Sequence, residues 1–211
     1  EAEVMAGLQS QLQGMRSFVR RDLGRLPWGM AVSFVAACTV SYLVYVMNPG
    51  FTAAIMDSIL GMFMDAGVVN ESGGLSFIGL LLNNWMAMLF CVLYGFIPFL
   101  YLPVLVLLSN AVVLGLLGAF YTISGIPFSV FLAALLPHGI FEIPALILAA
   151  AMGAALCRNI FRILFRKHNA VPMVEFLIGL LQTMLLLIFP LILCAAAVET
   201  FITPMVVNLF L

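Results

Sequence analysis

Apolar tracts long enough to cross a membrane constrain the fold of this chain more than any other feature. A transmembrane helix needs about 20 apolar residues, because each residue rises 1.5 Å and the hydrocarbon core is ~30 Å thick. Of the 211 residues, 65% are hydrophobic and only 8% are charged, whereas roughly 25% are charged in a soluble domain. We therefore predict an all-α fold, a polytopic transmembrane helix bundle.

The tracts divide the chain into two parts. Residues 1–27 are predicted to form an amphipathic interfacial helix on the cytoplasmic side, and residues 28–211 a single transmembrane domain. A break at residues 95–98 divides an apolar tract that is too long for one crossing, but the turn carries almost no charge, so a re-entrant pair is an alternative for the two middle spans. The predicted spans are 28–47, 75–94, 99–121, 128–156 and 173–198, with an outer amphipathic segment at 51–65.

The N-terminal region has the periodicity of a surface helix. Its apolar positions are spaced by three and four residues, which places them on one face. This pattern indicates either a helix that lies on the membrane or a short coiled-coil contact with a partner protein. The positions are Met5, Leu8, Leu12, Met15 and Val19.

The basic residues predict the orientation of the chain. All eight Lys and Arg residues lie either before Trp28 or between Cys157 and Asn169. Positive charge favours the cytoplasmic side of a membrane, and the four spans between the clusters return the second cluster to the side of the first. We expect a multi-pass protein of the cell membrane with a cytoplasmic N-terminus and an extracytoplasmic C-terminus. Lipid head groups explain the arginines, so no nucleic-acid partner is expected.

One short segment of the fourth span combines two costly features. His138 and Glu142 are titratable groups within an apolar tract, where such groups are rare and commonly mark function. Pro137 and Pro144 remove backbone donors and predict that the span is broken here. Gly139 would allow a close backbone approach or an unusual φ. The segment is interpreted either as a binding or proton-handling site or as a polar clamp that locks a broken helix into the bundle.

Other polar residues in the spans are candidate neighbours of this pair. Asn83, Asn84 and Asn110 are candidate binding residues too, although hydrogen bonds that link helices are the favoured role over contact with a ligand. Glu199, at the predicted end of the fifth span, is either an interfacial carboxylate in water or a further member of the site.

Chemical signatures of enzymes and metal centres are missing. The sequence has no HExxH, GxSxG or Walker motif, so we predict no enzymatic activity. His138, Glu142 and Glu199 could supply three metal ligands in principle, but they are too few and too scattered to predict a metal site. No cofactor is expected either.

A stripe of small residues follows the motif. Ala145, Ala149 and Gly153 recur every fourth residue and would let another helix approach closely. The stripe serves either packing within the chain or a homodimer, and the pattern does not separate the two.

These motifs resemble the stage II sporulation protein M family of membrane proteins. The segment from Pro137 to Ala145 is similar to its PHGxxExPA signature. The supporting matches are the Asn83-Asn84 doublet, Asn110 with Gly115 downstream, and Glu199 followed by Thr203-Pro204.

The resemblance implies a polytopic bacterial or archaeal membrane protein. In endospore formers the namesake works with two cell-wall hydrolases during engulfment, as a scaffold rather than a catalyst. The first functional hypothesis is therefore a non-enzymatic scaffold that recruits membrane or cell-wall-associated proteins. The second is a transporter or channel for a lipid or small solute, with His138 and Glu142 at a midmembrane site.

Overall fold

The chain folds almost entirely into helices. The computed structural model describes residues 2–65 and 76–209, and within these ranges it contains no strand, which confirms the all-α prediction. The predicted start of a span at residue 75 lies outside the described residues. The helices are α1 (Ala2–Phe18), α2 (Leu26–Val46), α3 (Pro49–Asp65), α4 (Phe77–Leu93), α5 (Leu102–Ile123), α6 (Phe128–Leu164), α7 (Met173–Thr183), α8 (Phe189–Ala197) and α9 (Thr203–Val207).

Short irregular turns join or extend several of these helices. A 3₁₀ turn at Tyr94–Phe96 prolongs α4. Three π turns interrupt other segments: Val19–Leu23 after α1, Met184–Ile188 between α7 and α8, and Val198–Ile202 between α8 and α9.

In the ranges 2–65 and 76–209, five helical segments are long and apolar enough to cross a membrane, as predicted. The last two are longer than expected, since the predicted spans end at residues 156 and 198. At 1.5 Å per residue, α6 is about 55 Å long and exceeds the hydrocarbon thickness. The segments are Leu26–Val46, Phe77–Phe96, Leu102–Ile123, Phe128–Leu164 and Met173–Val207.

The turn between α4 and α5 carries no charge and contacts the end of α6. Phe99 and Tyr101 both have positive φ, so the chain reverses sharply after the 3₁₀ turn. The Phe99 ring packs edge-on against Phe161 at 5.7 Å and Phe165 at 6.5 Å. The Phe99 ring contacts the end of α6, but Phe99 and Leu100 remain 58% and 62% exposed.

The central helix α6 packs closely on its neighbours through the small-residue stripe. Ala145 and Ala149 are completely buried. A Cβ atom at Gly153 would lie 2.5 Å from the Cys91 carbonyl oxygen, so the backbones of α4 and α6 are in contact. The stripe therefore serves packing within the chain, the first of its two predicted roles.

The predicted break of the fourth span is wrong. Helix α6 continues through both Pro137 and Pro144. Each proline removes one hydrogen bond to the carbonyl four residues earlier, but the rest of the helical ladder persists on both sides. A break would leave further backbone groups without partners in an apolar surrounding, which costs more than two missing bonds. The long apolar flanks therefore hold the helix together.

The N-terminal arm, defined here as residues 2–25, is helical as predicted and docks on α7. The rings of Phe18 and Phe176 pack edge to face at 5.1 Å. Farther along, Gln182 Nε2 donates to Gln11 Oε1 at 2.7 Å, so the two helices run antiparallel. The arm is thus attached to the protein itself and not only to a surface.

The two basic clusters lie at the same end of the bundle. Arg158 of α6 donates to the backbone carbonyl of Asp22 in the arm. Arg21 bonds Glu175 at 2.8 Å and the buried Asp22 at 3.0 Å, and these hydrogen bonds raise the pKa of Arg21 above its usual range. This arrangement agrees with the predicted topology, in which four spans separate the two clusters and both clusters share one side.

A polar link that sequence reasoning missed fixes the connection from α6 to α7. The Asn159 side chain is 2% exposed. Its Nδ2 donates to the Val171 carbonyl at 3.0 Å, and its Oδ1 accepts from the Val171 amide at 2.9 Å. The Asn159 side-chain amide thus supplies a hydrogen-bond partner to both the N–H and the carbonyl of Val171.

The outer segment forms helix α3, but its packed side differs from the predicted apolar face. Phe51 is exposed, whereas Thr52 and Met56 are buried. The Thr52 hydroxyl donates to the Tyr45 carbonyl at 2.7 Å, which turns this side of the helix towards the bundle.

Two glycines of α6 should respond differently to alanine. Gly153→Ala places a methyl group against backbone and should lower the free energy of unfolding by about 1–3 kcal/mol. Gly139→Ala meets only side-chain atoms, at 3.5 Å, and should be tolerated. Unfolding of the purified protein in detergent measures both, and equal effects would contradict the packing described.

Candidate functional site

The candidate residues surround one cavity in the middle of the bundle. The cavity has a volume of about 450 Å³ and lies between α2, α4, α5, α6 and the π turn at Val198–Ile202. On α4, the cavity-lining residue Asn84 lies about 10 Å from the start of the helix at 1.5 Å per residue. The cavity is therefore well inside the span. All predicted site residues except the two prolines line it: Asn83, Asn84, Asn110, His138, Gly139, Glu142 and Glu199.

The ionisable groups form a compact cluster. Potential ligand atoms of His138, Glu142 and Glu199 all lie within 4.8 Å of one another. His138 and Glu142 are one helical turn apart and therefore point the same way from α6. Glu199 reaches them from a different segment, 57 residues later in the chain. This three-residue cluster is called the acidic triad below.

Hydrogen bonds do not hold the acidic triad together. Among the described residues we find none that joins His138, Glu142 and Glu199 to one another or to the backbone. His138 Nδ1 is buried and has no partner. A clamp should consist of satisfied hydrogen bonds, since a partly satisfied buried network destabilises the fold. The arrangement is more typical of groups that await a ligand.

Asn84 is the most deeply buried polar residue of the cavity. It is 6% exposed, and its amide lies beside the Glu142 carboxyl. Its Nδ2 nevertheless completes no hydrogen bond. A buried donor without an acceptor is costly, so its presence requires an explanation.

The predicted role of the asparagines as links between helices is wrong for Asn110. Asn110 Nδ2 donates at 2.9 Å to the Val106 carbonyl of its own helix. Within the described part of the chain, Asn83 and Asn84 also make no hydrogen bond to a neighbouring helix. All three side chains line the cavity, and the Asn84 amide faces the Glu142 carboxyl of α6.

Gly139 and the two prolines have simpler roles than expected. Gly139 is helical, its φ is not positive, and a Cβ atom there would meet only ordinary contacts. The predicted close approach and unusual φ are therefore both wrong at this position. Gly139 leaves room in the cavity, while Pro144 faces outward and is exposed.

A π turn brings Glu199 to the cavity. Thr203 donates both its backbone N–H and its hydroxyl to the Val198 carbonyl, which closes a wide turn. Pro204 follows and has no N–H for the next helical bond. The prediction that Glu199 ends the fifth span is wrong, since the segment continues to Val207. The Thr203-Pro204 pair was the signal in the sequence for this turn.

One known family model matches most of this chain. The family model of stage II sporulation protein M matches residues 30–204. The chain belongs to this family. The match contains every cavity-lining residue and leaves the whole N-terminal arm outside. The family resemblance first seen in the His138–Glu142 segment therefore extends over most of the chain.

Two further comparisons gave no match. Neither a curated protein nor a solved structure matches this member of the stage II sporulation protein M family.

A conservative substitution separates a clamp from a binding site. Glu142→Gln keeps the shape of the side chain and removes a half-buried carboxylate that is not hydrogen-bonded to His138, Glu199 or the backbone. We expect equal or greater resistance to thermal unfolding in detergent, whereas loss of a buried clamp would cost about 3–5 kcal/mol. Asn159→Ala is the positive control, because it breaks two observed hydrogen bonds. Clear destabilisation by Glu142→Gln would favour the clamp.

Proposed function

We propose that this protein is a non-enzymatic membrane protein that binds a small polar solute midway through the bilayer and passes it across. One observation carries the proposal: a cavity inside the bundle is lined by the acidic triad and three asparagines. Polar side chains at this depth are expensive and usually serve a pathway or a ligand. A ligand is favoured over a clamp because these groups do not satisfy one another.

The surroundings of the cavity support the same function. The exposed faces of the long helices are apolar, as at Trp28 and Val32 of α2, which suits contact with lipid. Positive charge at one end of the bundle supports the orientation with that end and the N-terminus in the cytoplasm. The solute would then reach the acidic triad from one side and leave towards the other.

Accessibility of the cavity to water tests this function. Ala87→Cys and Ala134→Cys place a thiol in the lining, in a background whose four native cysteines are changed to alanine. We expect a membrane-impermeant maleimide to label both positions when it is added to either side of intact vesicles, because a carrier or channel exposes its site to each side in turn.

Ala151→Cys is the matched control for this experiment. Ala151 lies on the same helix as Ala134, is completely buried and does not line the cavity, so it should remain unlabelled. Labelling from one side alone would indicate a binding site and contradict transport. Absence of labelling at both cavity positions would contradict the proposal.

The scaffold function is the second candidate, and the N-terminal arm supports it. Helix α1 lies outside the five long segments and docks by its C-terminal half. Val4, Met5 and Leu8 nearer its start are 76%, 61% and 49% exposed. Apolar side chains on a helix of this kind suit either the membrane surface or another protein. A protein partner would be a membrane or cell-wall-associated protein, as the resemblance to the family implies.

Photo-crosslinking distinguishes a protein partner from lipid. A photoreactive amino acid at Leu8 should form defined protein adducts in cell membranes if the arm recruits a partner. The same label at the exposed Gln13, on another face of α1, is the control. Adducts with lipid alone at Leu8 would contradict the scaffold function for this surface.

A further inference from the structure

We propose that the acidic triad binds one divalent transition-metal cation, with Zn²⁺ as the probe. The inference rests on the proposed function, because it names the class of solute that binds in the same cavity. It is carried by the meeting of His138, Glu142 and Glu199 from two separate segments of the chain.

Geometry favours a single ion. The potential ligand atoms lie within 4.8 Å of one another. A Zn²⁺ ion bound at about 2.0–2.2 Å brings its ligand atoms to within roughly 4 Å of each other. The difference requires only small side-chain rotations, and no hydrogen bond among the described residues opposes them.

Charge favours a cation. Two carboxyl groups face the cavity, and no Lys or Arg residue is among the side chains that line it. All eight Lys and Arg residues lie between positions 16 and 25 or between 158 and 167. Two carboxylates at close range in an apolar surrounding repel each other strongly. One divalent cation neutralises both and leaves the neutral imidazole as a further ligand.

The Asn84 amide is a second and independent sign of a ligand. It is more than nine-tenths buried, lines the cavity, and has an Nδ2 without a partner. Metal-bound carboxylates commonly accept a hydrogen bond on the oxygen that faces away from the metal. Asn84 lies beside Glu142 and would donate that bond once the carboxylate is fixed by the ion.

The ligand types select the class of metal. An imidazole with two carboxylates suits Zn²⁺ and related first-row ions. Mg²⁺ prefers oxygen ligands in an octahedral arrangement and keeps several waters. Cysteine is absent from the lining of this cavity, so a thiolate site is not expected here.

Zinc titration of the purified full chain in detergent tests the site. We expect one Zn²⁺ per chain by isothermal titration calorimetry and much weaker binding of Mg²⁺. His138→Ala, Glu142→Gln and Glu199→Gln should each weaken Zn²⁺ binding at least about tenfold, since loss of a supporting partner alone commonly costs that much.

The chain offers matched controls for these variants. His168 is its other histidine and is exposed, and Glu175 lies at the arm, outside the cavity. His168→Ala and Glu175→Gln should bind Zn²⁺ as the unmodified protein does. Unchanged binding in the Glu142→Gln, Glu199→Gln double variant, or absence of binding in the unmodified protein, would overturn the proposal.

A measurement on the unmodified protein avoids variants that fail to fold. X-ray absorption of the zinc-loaded chain should show nitrogen and oxygen ligands at about 2.0–2.2 Å, including one imidazole. Sulfur ligands, or two imidazoles, would place the ion elsewhere and refute the site.

The outcomes separate this inference from the proposed function. Zinc binding with cavity cysteines that are labelled from one side alone supports the metal site and refutes transport. Labelling from both sides without zinc binding supports transport and refutes the metal site.

Discussion

Close packing along α6 is the interaction on which the rest of this structure depends. Lipid is as apolar as leucine, so helices associate in a membrane mainly through van der Waals contact between well-fitted surfaces. Ala145, Ala149 and Gly153 provide such a surface, and at Gly153 the backbones of α4 and α6 touch. Where the small residues end, towards the start of α6, larger polar side chains take their place. The cavity begins there because the helices can no longer meet.

Hydropathy predicted the number and approximate bounds of the long helices, because lipid leaves few alternatives to a helix of about 20 apolar residues. The motif around His138 and Glu142 predicted where polar chemistry concentrates. Sequence spacing alone could not show that Glu199 joins this pair, since 57 residues separate Glu142 from Glu199. Only tertiary packing brings the acidic triad together, so the sequence predicted the parts of the candidate site but not their assembly.

The remaining errors share a physical cause. Local rules for Pro137, Pro144 and Gly139 describe what a residue permits, whereas the apolar flanks decide what α6 adopts. Asparagine was treated as a link between helices, but Asn110 donates to the Val106 carbonyl of its own helix. Asn159 was overlooked because its partners belong to the backbone of Val171, and no pattern of side chains reveals such a bond.

The π turns give the last segment two different working faces. Each turn holds one residue more than an α-helical turn, so it rotates the next part of the segment by about 100°. Before the turn at Met184–Ile188, α7 packs chiefly on the N-terminal arm; after it, α8 packs on α6. One continuous segment therefore joins Phe176, which contacts the arm, to Glu199 in the cavity, about 35 Å away at 1.5 Å per residue. The arm and the acidic triad are therefore connected by one continuous helical segment, with no loop between them.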